Sequence, residues 1–252
     1  MRFLGIIPAR YASTRFPGKP LADMGGKPMI QRVYEQVRTT VDELYVATDD
    51  NRIYHAVLAF WGRGVLTSET HQSGTDRCYE AFLKTGKDFD VIINIQGDEP
   101  FIQPSQVELL KNCFSEMDVQ IATLAKPFDK EGDFEQTLFN PNTPKVVLND
   151  RNEAMYFSRS VIPYIRGKVY TGWLDSHVFY KHIGLYAYRS DVLKEITALP
   201  QSSLEIAESL EQLRWLQNGY RIKVAITDRE TIGIDTPEDL EKAMKYAYMN
   251  QN

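Results

Sequence analysis

Short apolar runs rich in β-branched residues alternate with longer amphipathic runs through residues 1–114. The apolar runs predict buried strands at 3–8, 44–48 and 90–96, and the amphipathic runs predict helices at 28–39, 51–60, 75–84 and 104–114. Continuous apolar strands that are separated by helices are typical of a parallel sheet covered on both faces. The pattern therefore predicts a doubly wound α/β fold for this part of the chain.

The second half of the chain is less regular. Its apolar runs predict strands at 119–125, 145–148, 154–157, 182–188 and 222–227, with few helices between them. One amphipathic run predicts a single helix at 202–218, which Gly219 would end. A last helix is expected to begin at Thr236 and Pro237, a threonine cap followed by a proline. These elements favour a smaller mixed or antiparallel extension of the main sheet, with residues 126–143 as a surface excursion.

Length and composition predict one large domain, or a large domain with a small appendage. The chain has 252 residues, of which 43% are hydrophobic and 25% charged, and a chain of this length can bury a core without cross-links. Cys78 and Cys113 lack CxxC or Cys/His ligand spacing, so we expect two reduced thiols.

Charge and hydropathy exclude some classes of partner. The net charge is −5, and the 29 basic residues are scattered along the chain, which disfavours a nucleic-acid partner. The first apolar run is too short for a signal peptide, and no stretch approaches the ~18 apolar residues that cross a bilayer. We therefore expect a soluble, cytoplasmic protein with no membrane partner.

A cluster of cations follows the first predicted strand. Arg10, Arg15 and Lys19 lie within ten residues, with hydroxyl and glycine residues between them. Ligands of parallel sheets bind beyond the carboxyl ends of the strands, and such a loop can surround a triphosphate with cations and amide donors. The loop matches neither GxxxxGK[ST] nor GxGxxG. A solvated basic loop is the alternative interpretation.

Two carboxylates follow other predicted elements. Asp98 comes directly after the longest apolar strand, and Asp235 precedes the last helix. Magnesium binds through one or two carboxylates together with substrate phosphates, so these residues beside a basic loop favour a Mg-nucleotide site. Gly97 would let a ligand approach the backbone. The alternatives are a turn former at Asp98 and, at Asp235, an acid stabilised by the helix dipole.

Residues 7–21, IPARYASTRFPGKPL, resemble the opening signature of the 3-deoxy-manno-octulosonate cytidylyltransferases, also called CMP-Kdo synthetases. The resemblance continues in order over almost the whole chain, at residues 46–49, 71–77, 94–100, 156–159, 182–186, 210–214 and 233–239.

The resemblance implies an α/β sheet of the nucleotide-diphospho-sugar transferase type, mostly parallel and mixed. It implies transfer of CMP from CTP to 3-deoxy-manno-octulosonate for lipopolysaccharide synthesis, with Mg²⁺ as cofactor and a homodimer as assembly. Within a single domain, residues 1–118 would form the nucleotide-binding half and 119–230 the sugar-binding half with the dimer contacts. Residues 231–252 would supply the metal aspartate and the C-terminal helix.

The resemblance also implies roles for single residues. The catalytic set would be Arg10, Lys19, Asp98 and Asp235, with Arg15 also on the triphosphate and the two aspartates as metal ligands. The cytidine pocket would be lined by Ala47, Thr48, Asp49, Ser73, Gly74, Arg77 and Gln96. The sugar acid would be bound by Arg159, His182, Tyr186, Glu211 and Gln212.

Each sugar-binding candidate also has an ordinary structural interpretation. Arg159 would close a surface ion pair, His182 would be a hydrogen-bonded structural histidine, and Tyr186 would pack in the core. Glu211 and Gln212 would lie on the solvated face of a helix. The strongest physical case is Arg159, because a guanidinium group can bind a carboxylate through two parallel hydrogen bonds.

Three other functions stay open. A cytidylyltransferase for another acidic sugar, such as 8-amino-Kdo or sialic acid, is the nearest. A glycosyltransferase of related fold would be expected to show a DxD metal motif, which Asp49 and Asp50 do not form. A non-catalytic nucleotide-sensing module would bind CTP without releasing pyrophosphate.

Overall fold

The computed structural model describes residues 1–130, 137–230 and 233–249. The chain forms two compact units. Unit 1 comprises Met1–Glu108 and the chain from Thr231 onward, and unit 2 comprises Leu109–Glu230. Within the described residues, none of the helices has the length and apolar character that a bilayer span requires. The functional division predicted at residues 118 and 230 stays a prediction.

Unit 1 is built on a parallel sheet. Its strands are β1 (Phe3–Ala9), β2 (Glu43–Thr48), β3 (Gly64–Leu66) and β4 (Val91–Asn94). Their order is β3-β2-β1-β4, and every neighbouring pair is parallel. The prediction of a buried parallel sheet is confirmed; the three-residue β3 is too short to leave an apolar pattern that could have predicted it.

The helices of the first part of the chain follow the predicted amphipathic runs. They are α1 (Met29–Val37), α2 (Asn51–Ala59), α3 (Gly74–Thr85) and α4 (Pro104–Asn112). In α1 the buried residues are Met29, Ile30, Val33 and Val37, a spacing that places them on one helical face. The predicted helices are confirmed, with ends that differ by a few residues.

The strand order identifies where a ligand can bind. The chain runs from β1 outward through β2 to β3, and then returns to place β4 on the other side of β1. Ligands of open α/β sheets bind at such a point of reversal, beyond the carboxyl ends of the strands. In unit 1 this point lies between the loops that follow β1 and β4.

Unit 2 contains a mixed sheet. Its strands are β5 (Ile121–Pro127), β6 (Lys145–Leu148), β7 (Ala154–Ser158), β8 (Tyr180–Arg189) and β9 (Ile222–Ile226). β5 is antiparallel to β8 and parallel to β9, whereas β6 is antiparallel to both β7 and β8. The mixed or antiparallel character predicted for this half is confirmed. The predicted surface excursion includes residues 131–136, which lie outside the described residues.

The single helix predicted at 202–218 is wrong. The structure has α7 (Ser203–Glu208) and α8 (Gln212–Gln217) there, after α5 (Trp173–Ser176) and α6 (Ser190–Thr197). Ser209 takes a left-handed conformation, with φ 50° and ψ 48°, and ends α7. The carbonyl groups of Glu208 and Ser209 accept hydrogen bonds from the guanidinium group of Arg159, at 2.6 and 3.3 Å. Tertiary contacts therefore interrupt a helix that the apolar spacing alone would continue.

The last helix, α9 (Pro237–Met249), begins where the threonine cap predicts. The hydroxyl of Thr236 accepts a hydrogen bond from the Asp239 amide at 3.2 Å, and the Asp239 carboxylate accepts one from the Thr236 amide at 3.0 Å. These two reciprocal bonds satisfy amide groups at the helix N-terminus.

Candidate functional site

The cationic loop after β1 folds back on itself. The carbonyl oxygen of Tyr11 accepts hydrogen bonds from the amides of Ser13 and Gly18, both at 2.9 Å. Gly18 has a φ of 72°, which glycine adopts without the steric cost that a side chain would bring. A 3-10 helix, Lys19–Leu21, starts directly after it. The reversal returns Lys19 to the carboxyl end of β1.

Lys19 joins the two candidate metal ligands. Its ammonium group lies 2.7 Å from Oδ2 of Asp98 and 3.4 Å from Oδ1 of Asp235. The guanidinium group of Arg15 lies 3.1 Å from the other oxygen of Asp235. Lys19 is 13% exposed, whereas Arg15 is 66% exposed. The cationic loop and the two carboxylates, which are far apart in sequence, therefore meet at one place.

Backbone contacts fix this meeting point. The amide of Ile234 donates to the carbonyl oxygen of Asp98 at 2.9 Å, and Ile234 is fully buried in an apolar cluster with Met24 and Met29. The cap of α9 is formed by Thr236 and Asp239, as described above. The side chain of Asp235 contacts Arg15 and Lys19 of the loop. An acid that only stabilised the helix dipole would not need these contacts, so the structure favours a role for Asp235 in the site.

Gly97 allows the segment after β4 to approach β1. A Cβ atom placed on Gly97 would lie 3.0 Å from the carbonyl oxygen of Pro8. This distance is shorter than most contacts that Cβ atoms make. The absence of a side chain therefore allows Asp98 to lie beside the end of β1.

These segments surround a cleft of about 310 Å3, called here the unit 1 cleft. From the β1 loop it is lined by Pro8, Ala9, Arg10, Ser13, Arg15, Lys19 and Pro20. From the start of α3 and the end of β4 it is lined by His71, Gln72, Ser73, Gly74, Arg77, Gln96, Gly97 and Asp98, with Asp235 completing it. Four cationic side chains and two carboxylates therefore line one concave surface.

The predicted cytidine residues divide into two groups. Ser73, Gly74, Arg77 and Gln96 line the unit 1 cleft, whereas Ala47, Thr48 and Asp49 do not. Ala47 and Thr48 are fully buried. Asp49 accepts a 2.6 Å hydrogen bond from the guanidinium group of Arg77, which also donates to the hydroxyl of Thr67 at 2.6 Å. Asp49 therefore holds Arg77 in place, and the roles of Ala47 and Thr48 stay predictions.

The N-terminus of α3 contributes a side-chain cap. The hydroxyl of Ser73 accepts a hydrogen bond from the amide of Asp76 at 3.1 Å. This bond starts the helix at Gly74 and directs the positive end of the helix dipole at the cleft. An anion in the cleft would be stabilised by that dipole.

His71 and Gln72 line the cleft but were absent from the predicted site. The imidazole Nε2 of His71 contacts the Glu80 carboxylate, which also accepts from Lys84 at 2.7 Å and from the Ser68 amide at 2.9 Å. Burial alone would raise the pKa of Glu80, but these hydrogen bonds lower it to about 2. Two signals were available: both residues belong to the stretch 71–77 that carries the resemblance, and both directly precede the Ser73 cap.

Arg159, in unit 2, is bound to backbone oxygens. Its guanidinium group donates to the carbonyls of Glu208 at 2.6 Å, Pro141 at 2.9 Å and Ser209 at 3.3 Å. It lines a second cleft, called here the unit 2 cleft, of about 430 Å3, together with Phe139, Pro141, Ser160, Val161 and Trp173. The guanidinium group therefore binds carbonyl oxygens and not the carboxylate partner that the alternative interpretation of Arg159 expected.

His182 is held as a neutral ring. Its Nε2 lies 3.0 Å from the hydroxyl of Thr123, and the Phe157 ring packs edge-on at 5.1 Å. Burial lowers the pKa of His182 to about 3. The imidazole can therefore accept or donate one hydrogen bond at neutral pH but brings no charge.

Buried polar atoms without partners are found at Tyr186, whose ring lies 5.3 Å from that of His182, and on α8. Among the described residues, the hydroxyl of Tyr186, Nε2 of Gln212 and Nε1 of Trp215 have no hydrogen-bond partner. The rings of Tyr186 and Trp215 are in edge contact at 5.2 Å. Burial, and then the charge of Glu211, raise the pKa of Tyr186 well above its usual value, and the nearby Thr123 hydroxyl, which is outside normal hydrogen-bond geometry, opposes this shift. Buried polar groups normally find partners, so the unpartnered atoms of Tyr186 and Gln212 are compatible with the sugar-binding role predicted for these two residues.

Comparisons with known proteins find relatives that match nearly the whole chain. A family model described as cytidylyltransferase matches residues 4–224. A 3-deoxy-manno-octulosonate cytidylyltransferase of Parabacteroides distasonis is 72% identical and covers 98% of each chain, and one of Bacteroides thetaiotaomicron is 66% identical with the same coverage.

Solved structures show the same fold. A CMP:2-keto-3-deoxy-manno-octonic acid synthetase complexed with CTP matches with a TM-score of 0.89 at 44% identity, covering 99% of this chain and 100% of that chain. A 4-diphosphocytidyl-2C-methyl-D-erythritol synthase from Anaerococcus prevotii matches with a TM-score of 0.60 at 16% identity, a likeness of fold alone. The predicted fold type is confirmed.

Proposed function

The chain belongs to the 3-deoxy-manno-octulosonate cytidylyltransferase family, and on that premise we propose that it transfers CMP from CTP to 3-deoxy-manno-octulosonate, releasing pyrophosphate. The observation that supports this best is the meeting of Lys19 with Asp98 and Asp235 in the unit 1 cleft. Cations and carboxylates on one concave surface are what a magnesium-bound triphosphate requires.

The reaction is an in-line displacement at phosphorus. The anomeric hydroxyl of the sugar acid attacks the α-phosphorus of CTP, a new P–O bond forms as the hydroxyl loses its proton, and the bond to pyrophosphate breaks. Two anions must meet, so catalysis rests on positioning and charge neutralisation. Arg10, Arg15 and Lys19 take up negative charge on the triphosphate and on the departing pyrophosphate, and no covalent enzyme intermediate is needed.

Asp98 and Asp235 are the residues proposed to hold Mg²⁺. Among the described residues no three His, Cys, Asp or Glu side chains gather as a metal site, but magnesium commonly uses one or two carboxylates with substrate phosphates and water. Both carboxylates contact one ammonium group, so they are spaced to share a cation. Bound there, the metal would polarise the α-phosphate and lower the pKa of the attacking hydroxyl. Lys19 would then be free to contact a phosphate.

The cytidine is assigned to the wall formed by α3 and β4. Ser73, Gly74, Arg77 and Gln96 line that wall. Arg77 is 4% exposed and is held by Asp49, so its donors are pre-oriented. We retain Ala47 and Thr48 as supports of this wall from within the core.

The sugar acid is assigned to residues of unit 2. The unpartnered polar atoms of Tyr186 and Gln212 support this, because a polyol can satisfy buried donors and acceptors. His182 contributes a neutral hydrogen-bonding ring and Glu211 a carboxylate. The Arg159 guanidinium group has five donors, of which three are used by backbone carbonyls, so it retains donors for the substrate carboxylate.

A cytoplasmic homodimer that serves lipopolysaccharide synthesis completes the proposal. Tyr164, Val169 and Val178 of unit 2 are at least half exposed, and exposed apolar side chains of this kind are suitable for a subunit contact. Light scattering after size exclusion is expected to give twice the chain mass. A monomer at micromolar concentration would contradict the dimer.

Pyrophosphate release tests the function. The purified protein with Mg²⁺ is assayed with each of the four NTPs against 3-deoxy-manno-octulosonate, its 8-amino analogue and sialic acid. The highest kcat/KM is expected with CTP and 3-deoxy-manno-octulosonate. Preference for another acid would reassign the substrate, and CTP binding without any release would indicate a nucleotide-sensing module.

A further inference from the structure

We propose that Tyr11 and Arg52 form a brace that positions the cationic loop of the unit 1 cleft, so that both are positioning residues for the nucleotide. This inference rests on the proposed function, since it concerns how CTP is held. Neither side chain lines the cleft, and their effect would be indirect.

Tyr11 is the centre of the loop. Its carbonyl oxygen accepts the two amides that close the loop, from Ser13 and Gly18. Its side chain lies so close to Gly18 that a Cβ atom there would be 3.0–3.1 Å from two ring carbons and the hydroxyl oxygen of Tyr11. The position of the Tyr11 ring therefore controls the residue that immediately precedes Lys19.

Arg52 covers the ring from helix α2. Its guanidinium carbon lies 3.3 Å from the centre of the Tyr11 ring, a close cation–π contact. Asp50, which caps α2, holds the same guanidinium group through Nε at 3.0 and 3.2 Å and Nη2 at 2.6 Å. The carboxylate therefore holds one edge of the guanidinium group, through Nε and Nη2, while the group lies over the ring of Tyr11.

A brace has a reason to exist in this loop. Arg10, Arg15 and Lys19 bring three like charges into one short loop, and their mutual repulsion is offset in part by Asp98 and Asp235. A stacked Tyr11 opposes the spreading of the loop, and so the cations are already in position when CTP arrives. Because Arg52 is paired with Asp50, the contact adds rigidity to the loop with little net charge.

Substitutions of Arg52 separate rigidity from charge. Arg52→Gln and Arg52→Lys are both expected to raise the KM for CTP roughly three- to tenfold, with the KM for 3-deoxy-manno-octulosonate unchanged. Lysine keeps the charge but lacks the planar fork that holds both Asp50 and the ring. Tyr11→Leu is expected to raise the KM for CTP as Arg52→Gln does. Tyr11→Phe keeps the stacked ring and is expected to retain the CTP affinity of the wild type.

Arg63→Gln is the matched control. Arg63 also lies over a tyrosine ring, that of Tyr45, at 5.7 Å, and also pairs with a carboxylate, but it is remote from the loop in sequence and does not line the cleft. Its KM for CTP is expected to equal that of the wild type. Thermal unfolding of every variant establishes that the protein is folded.

Calorimetric titration with CTP alone makes the test independent of the sugar. Weaker CTP binding by both Arg52 variants supports the brace, even if the wild type turns over a different sugar acid or none, which would overturn only the proposed function. The brace is overturned if Arg52→Gln binds CTP like the wild type. It is also overturned if Arg52→Lys binds CTP like the wild type, because the loop would then require the positive charge and not the planar packing.

Discussion

Lys19 illustrates how burial gives single side chains their chemistry. Exposed ion pairs contribute little, but Lys19 is largely enclosed and contacts two carboxylates. Charges in such surroundings interact more strongly than in water. The solvated basic loop, the alternative that the sequence left open, would have left this ammonium group in solvent.

His182 leads to a prediction about acid stability. Its pKa is about 3 in the folded protein because of burial and about 6.5 in the unfolded chain. Between these values the unfolded state binds more protons, so the free energy of unfolding falls as the pH is lowered from 6.5. As the pH falls, the free energy of unfolding of His182→Gln should decrease less steeply than that of the wild type. The two slopes should differ by up to about 1.4 kcal/mol per pH unit. Urea unfolding at pH 7, 6 and 5 measures the difference, and parallel curves would contradict it.

Lys145 gives the corresponding prediction in the alkaline range. It is fully buried, and its ammonium group donates to the carbonyls of Asn140 and Arg159 at 2.8 and 2.9 Å. Burial, and then the charge of Arg159, lower its pKa from 10.5 to about 8. Between pH 8 and 10.5 only the unfolded state keeps the proton, so the free energy of unfolding should rise with pH.

Lys145→Met removes that rise. The unfolding free energy of the wild type minus that of the variant should therefore increase from pH 8 to pH 10, by up to about 1.4 kcal/mol per pH unit. Urea midpoints at pH 8, 9 and 10 provide the measurement. A constant difference would show that the Lys145 ammonium group titrates outside this range.

At the scale of elements, the sequence predicted the helices and strands that follow from apolar spacing. It did not predict the break between α7 and α8, which depends on tertiary contacts. The strands and helices of unit 1 have the predicted order because their burial follows their apolar positions, which are continuous in a strand such as β4 and periodic in a helix such as α1. The apolar spacing does not reveal the break between α7 and α8, because one continuous helix and two short helices would both be expected to bury Leu210 and Leu213. The break depends on Arg159, which is about 50 residues distant in sequence and takes the carbonyls that a continuous helix would use.

The left-handed Ser209 makes this break testable. Glycine adopts this conformation without the cost of about 1–2 kcal/mol that an L-residue incurs, although it loses more entropy on folding. Ser209→Gly is therefore expected to raise the free energy of unfolding by about 0.5 kcal/mol. Ala207→Gly, within α7, is the contrast and should lower it by about 1 kcal/mol. Urea unfolding of both decides; a loss of stability in Ser209→Gly would contradict the account.

At the scale of the whole molecule, the unit 1 site was largely predictable and the unit 2 site was not. Parallel strands end at the same edge of a sheet, so the loop of Lys19 and the segment of Asp98 had to approach each other. Asp235 was placed by its position before a capped helix. The sugar-side residues came from family resemblance alone, because burial without a partner, as at Tyr186 and Gln212, leaves no trace in a sequence.

The central claim is that a cationic loop and a pair of carboxylates act together on one magnesium-bound triphosphate. Its most direct test is the kcat for pyrophosphate release by Asp98→Asn at saturating Mg²⁺ and both substrates, beside Asp228→Asn, whose carboxylate is 90% exposed. We expect Asp98→Asn to lose on the order of a hundredfold or more while Asp228→Asn matches the wild type. Near-normal turnover by Asp98→Asn would contradict the claim.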